Sequence, residues 1–134
     1  MAPTHLADVS AWAQLHRAEA AARLSGLLLG GGAATCGVTD LEVAASAVDE
    51  AEHAAMASER ALFPRVPVDD AVLGRALEVQ GRLLSPPVPL AALVVAAAAE
   101  AAGLVLLHQD PVFERIAAVT GQPVEWVLPP GATA

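Results

Sequence analysis

Short apolar runs alternate along this chain with longer stretches of helical periodicity, and few architectures accept that order. His5-Leu6-Ala7, Ala33 to Cys36, Leu104 to Leu107 and Val124 to Leu128 are brief, bounded by turn residues, and read as strands. Between them the spacing predicts helices. Ser10 caps one that runs to about His16, and a second spans Ala18 to Leu29, where Gly30-Gly31-Gly32 must stop it. Thr39 reads as the N-cap of a helix from Asp40 to about Val48, with Glu42 completing a capping box. Further helices follow over Glu50 to Leu62, from Asp69 or Asp70 to about Leu84, and over Leu90 to Ala102 with Gly103 at its end. Arg65 to Val68 reads as a short extended segment, Ser85–Pro89 forces a break, and Pro111 opens a last helix to Val119. Strands separated in this way by helices predict an α/β fold, a central parallel sheet covered by helices, in one domain over residues 1–134.

Composition narrows the function. Hydrophobic residues make up 55% of the chain, 32 of its positions are alanine, and lysine is absent. A chain this apolar can bury enough surface to offset its backbone entropy, which excludes disorder. Seven Arg against fifteen Asp and Glu give a formal charge of −8, which excludes a strongly basic nucleic-acid clamp. The lone Cys36 excludes a disulfide framework, reads as an inert core thiol, and fits a reducing cytoplasm. The apolar stretch from Leu90 to Leu107 is interrupted by Glu100 and Gly103, so it reads as a buried helix and strand rather than a membrane span. The opening MAPTHLADVSAW lacks the apolar run of a signal peptide, and cytoplasmic residence is the expectation.

Three acids fall where an open parallel sheet binds its ligands, at the carboxyl ends of strands. Asp8 ends the first strand, Asp110 follows the Leu104–Leu107 strand, and Glu42 lies in the first turn after the second strand. Carboxylates gathered without basic neighbours repel one another and favour a divalent cation, and oxygen-only ligation suits Mg²⁺ or Mn²⁺. Each acid also has a structural role open to it: Asp8 with Ser10 as an N-cap turn, Glu42 as the capping-box partner of Thr39, and Asp110 as a helix-initiating Asx turn. His108 stands beside the same edge as a phosphate ligand, a base or a partly buried spacer. His5, His16 and His53 share no ligand spacing with Cys36, which argues against zinc. Gly30–Gly32 follows a helix and lacks the lysine of a phosphate loop. Trp12 and Trp126 read as packing residues, and Asp49, Glu50, Glu52 and Glu59 as a solvated helix face.

These residues carry a resemblance. LADVSAW (Leu6–Trp12), ATCGVTDLEV (Ala34–Val43), PVDDAVLGRALEVQ (Pro67–Gln80) and AEAAGLVLLHQDPVFERIAAVTGQPVEWVLPPG (Ala99–Gly131) together resemble the PIN-domain family, and within it the VapC-type toxins of toxin–antitoxin modules. The resemblance covers nearly the whole chain. It implies a three-layer α/β/α sandwich with Asp8, Glu42 (rather than Asp40) and Asp110 at the first, second and fourth acidic positions. It also implies Mg²⁺-dependent (or Mn²⁺-dependent) endoribonuclease cleavage of a structured RNA such as tRNA or rRNA. A VapB-like antitoxin blocking the cleft and a homodimer would go with that activity.

Within that resemblance Asp8 and Asp110 would bind the metal directly, and Glu42 would bind it through water or orient the attacking water. Arg17, Arg115 and Ser10 are the candidates for RNA contact. Three positions depart from the family's pattern: Ala92 stands where the third acid is expected, Ala98 where a hydroxyl is expected, and Val112 where a second Asp often precedes Phe. Glu100, about two turns beyond Ala92, is too far to substitute. Two readings follow, a ribonuclease with a reduced site and a degenerate PIN domain that acts by binding alone.

Overall fold

The computed structural model describes residues 2–131. In chain order the elements are β1 (His5–Ala7), α1 (Val9–Trp12), α2 (Ala18–Leu29), β2 (Ala33–Ala34), α3 (Gly37–Ala44) and α4 (Glu50–Arg60). They continue with α5 (Asp70–Gln80), α6 (Leu90–Ala102), β3 (Val105–His108), α7 (Val112–Thr120) and β4 (Val124–Trp126). The strands form one parallel sheet in the order β2-β1-β3-β4, as the alternation of strand and helix requires.

Successive residues of a strand point to opposite faces, and here they enter two separate cores. Leu6 and Leu106 join a cluster with Val72, Val95 and Phe113 of α5, α6 and α7. Their neighbours Ala7 and Leu107 join Ala20 and Leu24 of α2, with Val127 and Leu128, on the other side. Each fully buried leucine contributes about 2 kcal/mol. The sheet therefore lies between helical layers, and the result is the expected α/β/α sandwich. α6 is buried nearly all round, from Ala92 and Leu93 through Val95–Ala99, because alanine side chains let neighbouring elements approach its backbone closely. Gly103 (φ 69°) and Gly121 (φ 74°) end α6 and α7 in the left-handed conformation that turns each helix back into the next strand.

Several boundaries differ from the sequence expectation. Asp8, not Ser10, caps α1, its side chain accepting from the Ser10 N–H. α3 begins at Gly37 directly after extended Cys36, so Thr39 is inside the helix and fully buried, with Oγ1 3.6 Å from Cys36 Sγ. The Thr39–Glu42 capping box does not form. At the extended segment 65–68, Arg65 pairs with Thr35 through a single parallel bridge, and the Thr35 N–H donates to Pro64 O at 2.9 Å. α5 stops at Gln80 with Gly81 as its cap, short of Leu84. Pro111 precedes α7 rather than occupying its first turn. Cys36 is fully buried and unpaired. Among the described residues no helix is long and apolar enough to cross a membrane.

Candidate active site

The sheet order places its topological switch between β1 and β3, the two strands that deliver Asp8 and Asp110. Asp8 leaves β1 in extended conformation (φ −70°, ψ 161°) and is 4% exposed. Burial raises its pKa, hydrogen bonds from Ser10 and Val9 pull it back, and the charge of Asp110 pushes it up again. Asp110 is exposed, and its Oδ1 accepts the Val112 N–H at 2.9 Å. For both acids a local role, the N-cap of α1 at Asp8 and an Asx turn at Asp110, coexists with the place in the cleft, since one carboxylate oxygen is enough for it.

Glu42 has no such second role. It projects from α3 toward the same space, its Oε1 is buried without a hydrogen-bond partner among the described residues, and burial and then the charge of Asp8 raise its pKa. The three acids line one cleft of about 180 Å³ together with Ser10, Ala92 and Phe113. Among the described residues no cationic side chain lines it. Buried polar atoms are almost always paired, so an orphaned carboxylate oxygen facing like charge marks a place for a ligand of opposite sign. The oxygen-only donor set fits Mg²⁺ or Mn²⁺. Among the described residues no three such side chains are gathered closely enough to hold a metal ion by themselves. An ion that retains several of its waters suits that spacing.

The other expected residues separate. Ala92 lines the cleft and gives it an apolar wall there. Ala98 is not: it is buried between α5 and α6 and lines a different cavity with Val72 and Arg75. Six residues of helix carry it well round the α6 axis from Ala92, so of the two only Ala92 lines the cleft. Val112 touches the site only through its N–H on Asp110. Ser10 faces the acids but binds protein, its Oγ accepting the Gln109 N–H at 2.9 Å. Arg17 sits at the N-cap of α2, and Arg115 donates to Pro86 O at 2.9 Å; neither lines the cleft.

Asp40, two residues from Glu42, is bound up in protein contacts. Burial alone would raise its pKa, but hydrogen bonds from Arg60, Arg65 and Thr35 hold it below the usual range. Arg60 is 5% exposed, donates from Nε to Asp40 at 2.9 Å, and stacks its guanidinium over Phe63 (4.3 Å) and Trp12 (5.1 Å). Sequence reasoning missed this cluster, because nothing local to α4 distinguishes Arg60 from a solvated charge. His108, expected beside the cleft, is instead fully buried between Phe113 and Trp126, where burial pushes its pKa down against the pull of Glu114, Asp8 and Asp110. A larger, mostly apolar hollow of about 470 Å³ lies beyond, walled by Trp12, Leu15, Leu28, Met56 and Phe63, with Glu59 and Arg60 also on its lining. A third depression links the two, sharing Trp12 and Val43 with the hollow and Val9 and Glu42 with the acidic cleft.

No family model matches the chain. Ribonuclease VapC21 of Mycobacterium tuberculosis is 39% identical over 136 residues, which span 98% of this chain and 99% of that protein. The chain belongs to the VapC ribonuclease family. A second VapC relative, Ribonuclease VapC18 of the same species, is 37% identical over 92% of this chain and 95% of its own length. The VapC fold extends to distant structures: a DNA-bound VapBC complex from Salmonella typhimurium superposes with a TM-score of 0.74 at 17% identity, covering 94% of this chain and 99% of that one.

Proposed function

We propose that this VapC protein is an endoribonuclease toxin, acting as one PIN-like unit over residues 1–134. In this reading Asp8, Glu42 and Asp110 hold a single Mg²⁺ or Mn²⁺ against the backbone of a structured RNA of the tRNA or rRNA class. The observation that carries the reading is half-buried Glu42, whose Oε1 is buried and unpaired beside the charge of Asp8 in a cleft lined by no cationic side chain among the described residues. The bound ion would polarise the phosphodiester and lower the pKa of a coordinated water. Asp8 and Asp110, fixed by their own caps, would bind directly from two strand ends. Glu42 would orient the attacking water or bind through one. With Ala92 in place of a carboxylate the site has charge for one ion rather than two.

A VapB-like antitoxin is the proposed partner. The linked depressions from the Trp12–Phe63 hollow to Glu42 support an apolar segment that continues into a cationic side chain at the acids. Leu73 and Leu77, one turn apart and exposed on α5, support a homodimer face. A cytoplasmic setting goes with an RNA substrate. Ala92 favours a second reading, a PIN-like module that binds without cleaving.

Purified protein with Mg²⁺ or Mn²⁺ separates the two. The nuclease reading expects RNA cleavage that falls about 10²–10³-fold in Asp8→Asn. Cleavage that ignores both metal and Asp8 contradicts it, and no cleavage at any metal concentration favours the binding module.

A further inference from the structure

The geometry points to His108 as the positioning residue for Asp110: its imidazole Nδ1 accepts the Asp110 backbone N–H at 3.1 Å and so fixes the turn that delivers this carboxylate to the cleft. The inference rests on reading Asp8, Glu42 and Asp110 as a cation site. The chain leaves the sheet at His108, whose carbonyl still accepts from Val127 at 2.8 Å. Beyond that point no strand partner holds the backbone, and three side chains take over. Ser10 Oγ accepts the Gln109 N–H, His108 Nδ1 the Asp110 N–H, and Asp110 Oδ1 the Val112 N–H.

The histidine is suited to this because it cannot turn away. Its ring is fully buried between Phe113 (centroids 5.2 Å) and Trp126 (4.6 Å). Accepting at Nδ1 puts the ring proton on Nε2, which lies 3.4 Å from Glu114 Oε1. An aspartate or asparagine oxygen accepts from the N–H two residues on in an Asx turn; His108 does the same from a position walled by aromatics. Packing alone would be met by any apolar side chain of similar size. Acceptance of the Asp110 N–H would not, and asparagine can keep it while leucine cannot.

Titration of the metal-free protein with Mn²⁺ alone separates these roles, applied to wild type, His108→Leu, His108→Asn and Asp8→Asn, with a melting curve for each. We expect Mn²⁺ affinity to fall about tenfold in His108→Leu, to return toward the wild-type value in His108→Asn, and to vanish in Asp8→Asn. If His108→Leu binds as tightly as wild type while Asp8→Asn does not bind, the cation site stands and the positioning role is overturned. If wild type itself does not bind, both fall. A readout that needs neither metal nor variant is the coupling between the Asp110 amide nitrogen and His108 Nδ1 across their N–H···N hydrogen bond in wild type. Its presence is expected, and its absence from a well-resolved spectrum overturns the proposal.

Discussion

Asp40 and Glu42 stand two residues apart on α3, and the protein answers them in opposite ways. Asp40 meets two guanidinium groups and a hydroxyl, and its pKa falls below the usual range despite burial. Glu42, nearly opposite on the helix surface, meets a buried carboxylate and an apolar wall, and its pKa rises. A carboxylate the fold needs is matched with cations from the fold itself. One left facing like charge is, in the proposed reading, where a cation from outside binds. The contrast predicts that the first acid carries stability and the second carries function.

Breaking the structural side should give the largest loss of stability. Asp40→Ala strands the buried Arg60 charge and should destabilise the protein by about 3 kcal/mol, measured by denaturant unfolding. A loss below about 1 kcal/mol, typical of an exposed pair, would place Arg60 in solvent rather than in the core.

How much of this contrast the sequence carried depends on the distance over which each signal acts. The parallel sheet is legible from Leu104–Leu107 and the other short runs, and two acids of the cleft, Asp8 and Asp110, from their places at strand ends; Glu42 lies in the second turn of α3 rather than the first. Choosing Glu42 over Asp40 came from the resemblance, because both are acids on one predicted helix and only partners 20 or more residues away separate them. Thr39 and Glu42 spell a capping box, yet α3 starts before it, at Gly37. The pairing of Thr35 with the 64–66 segment instead starts the helix two residues before Thr39. The role of Arg60 and the full burial of His108 are not legible for a related reason: a polar side chain is buried by what packs on it, not by its neighbours in sequence.

The two departures on α6 extend the comparison at smaller scale. Ala92→Asp adds a carboxylate to the cleft and should tighten Mn²⁺ binding about tenfold while lowering the stability of the metal-free protein. Ala98→Thr, at the α5–α6 contact, should leave Mn²⁺ affinity unchanged and cost about 1 kcal/mol of stability from overpacking. Equal effects of the two on affinity would put Ala98 back at the site.

Acidity should separate the two α3 acids as well. Asp40, with its lowered pKa, adds stability above the ordinary carboxylate range that is lost as pH falls through its folded value. Asp8 and Glu42, with raised values, do the reverse: their cost to the metal-free protein appears as pH rises through those values. Glu42→Gln should therefore gain stability over wild type only as pH climbs above about 4.3.

The most direct test is the increment in melting temperature that Mn²⁺ gives to wild type, Asp40→Ala and Glu42→Gln at neutral pH. The increment should survive in Asp40→Ala, from a lower starting temperature, and should largely disappear in Glu42→Gln. An increment kept by Glu42→Gln and lost by Asp40→Ala would contradict the assignment of the two acids.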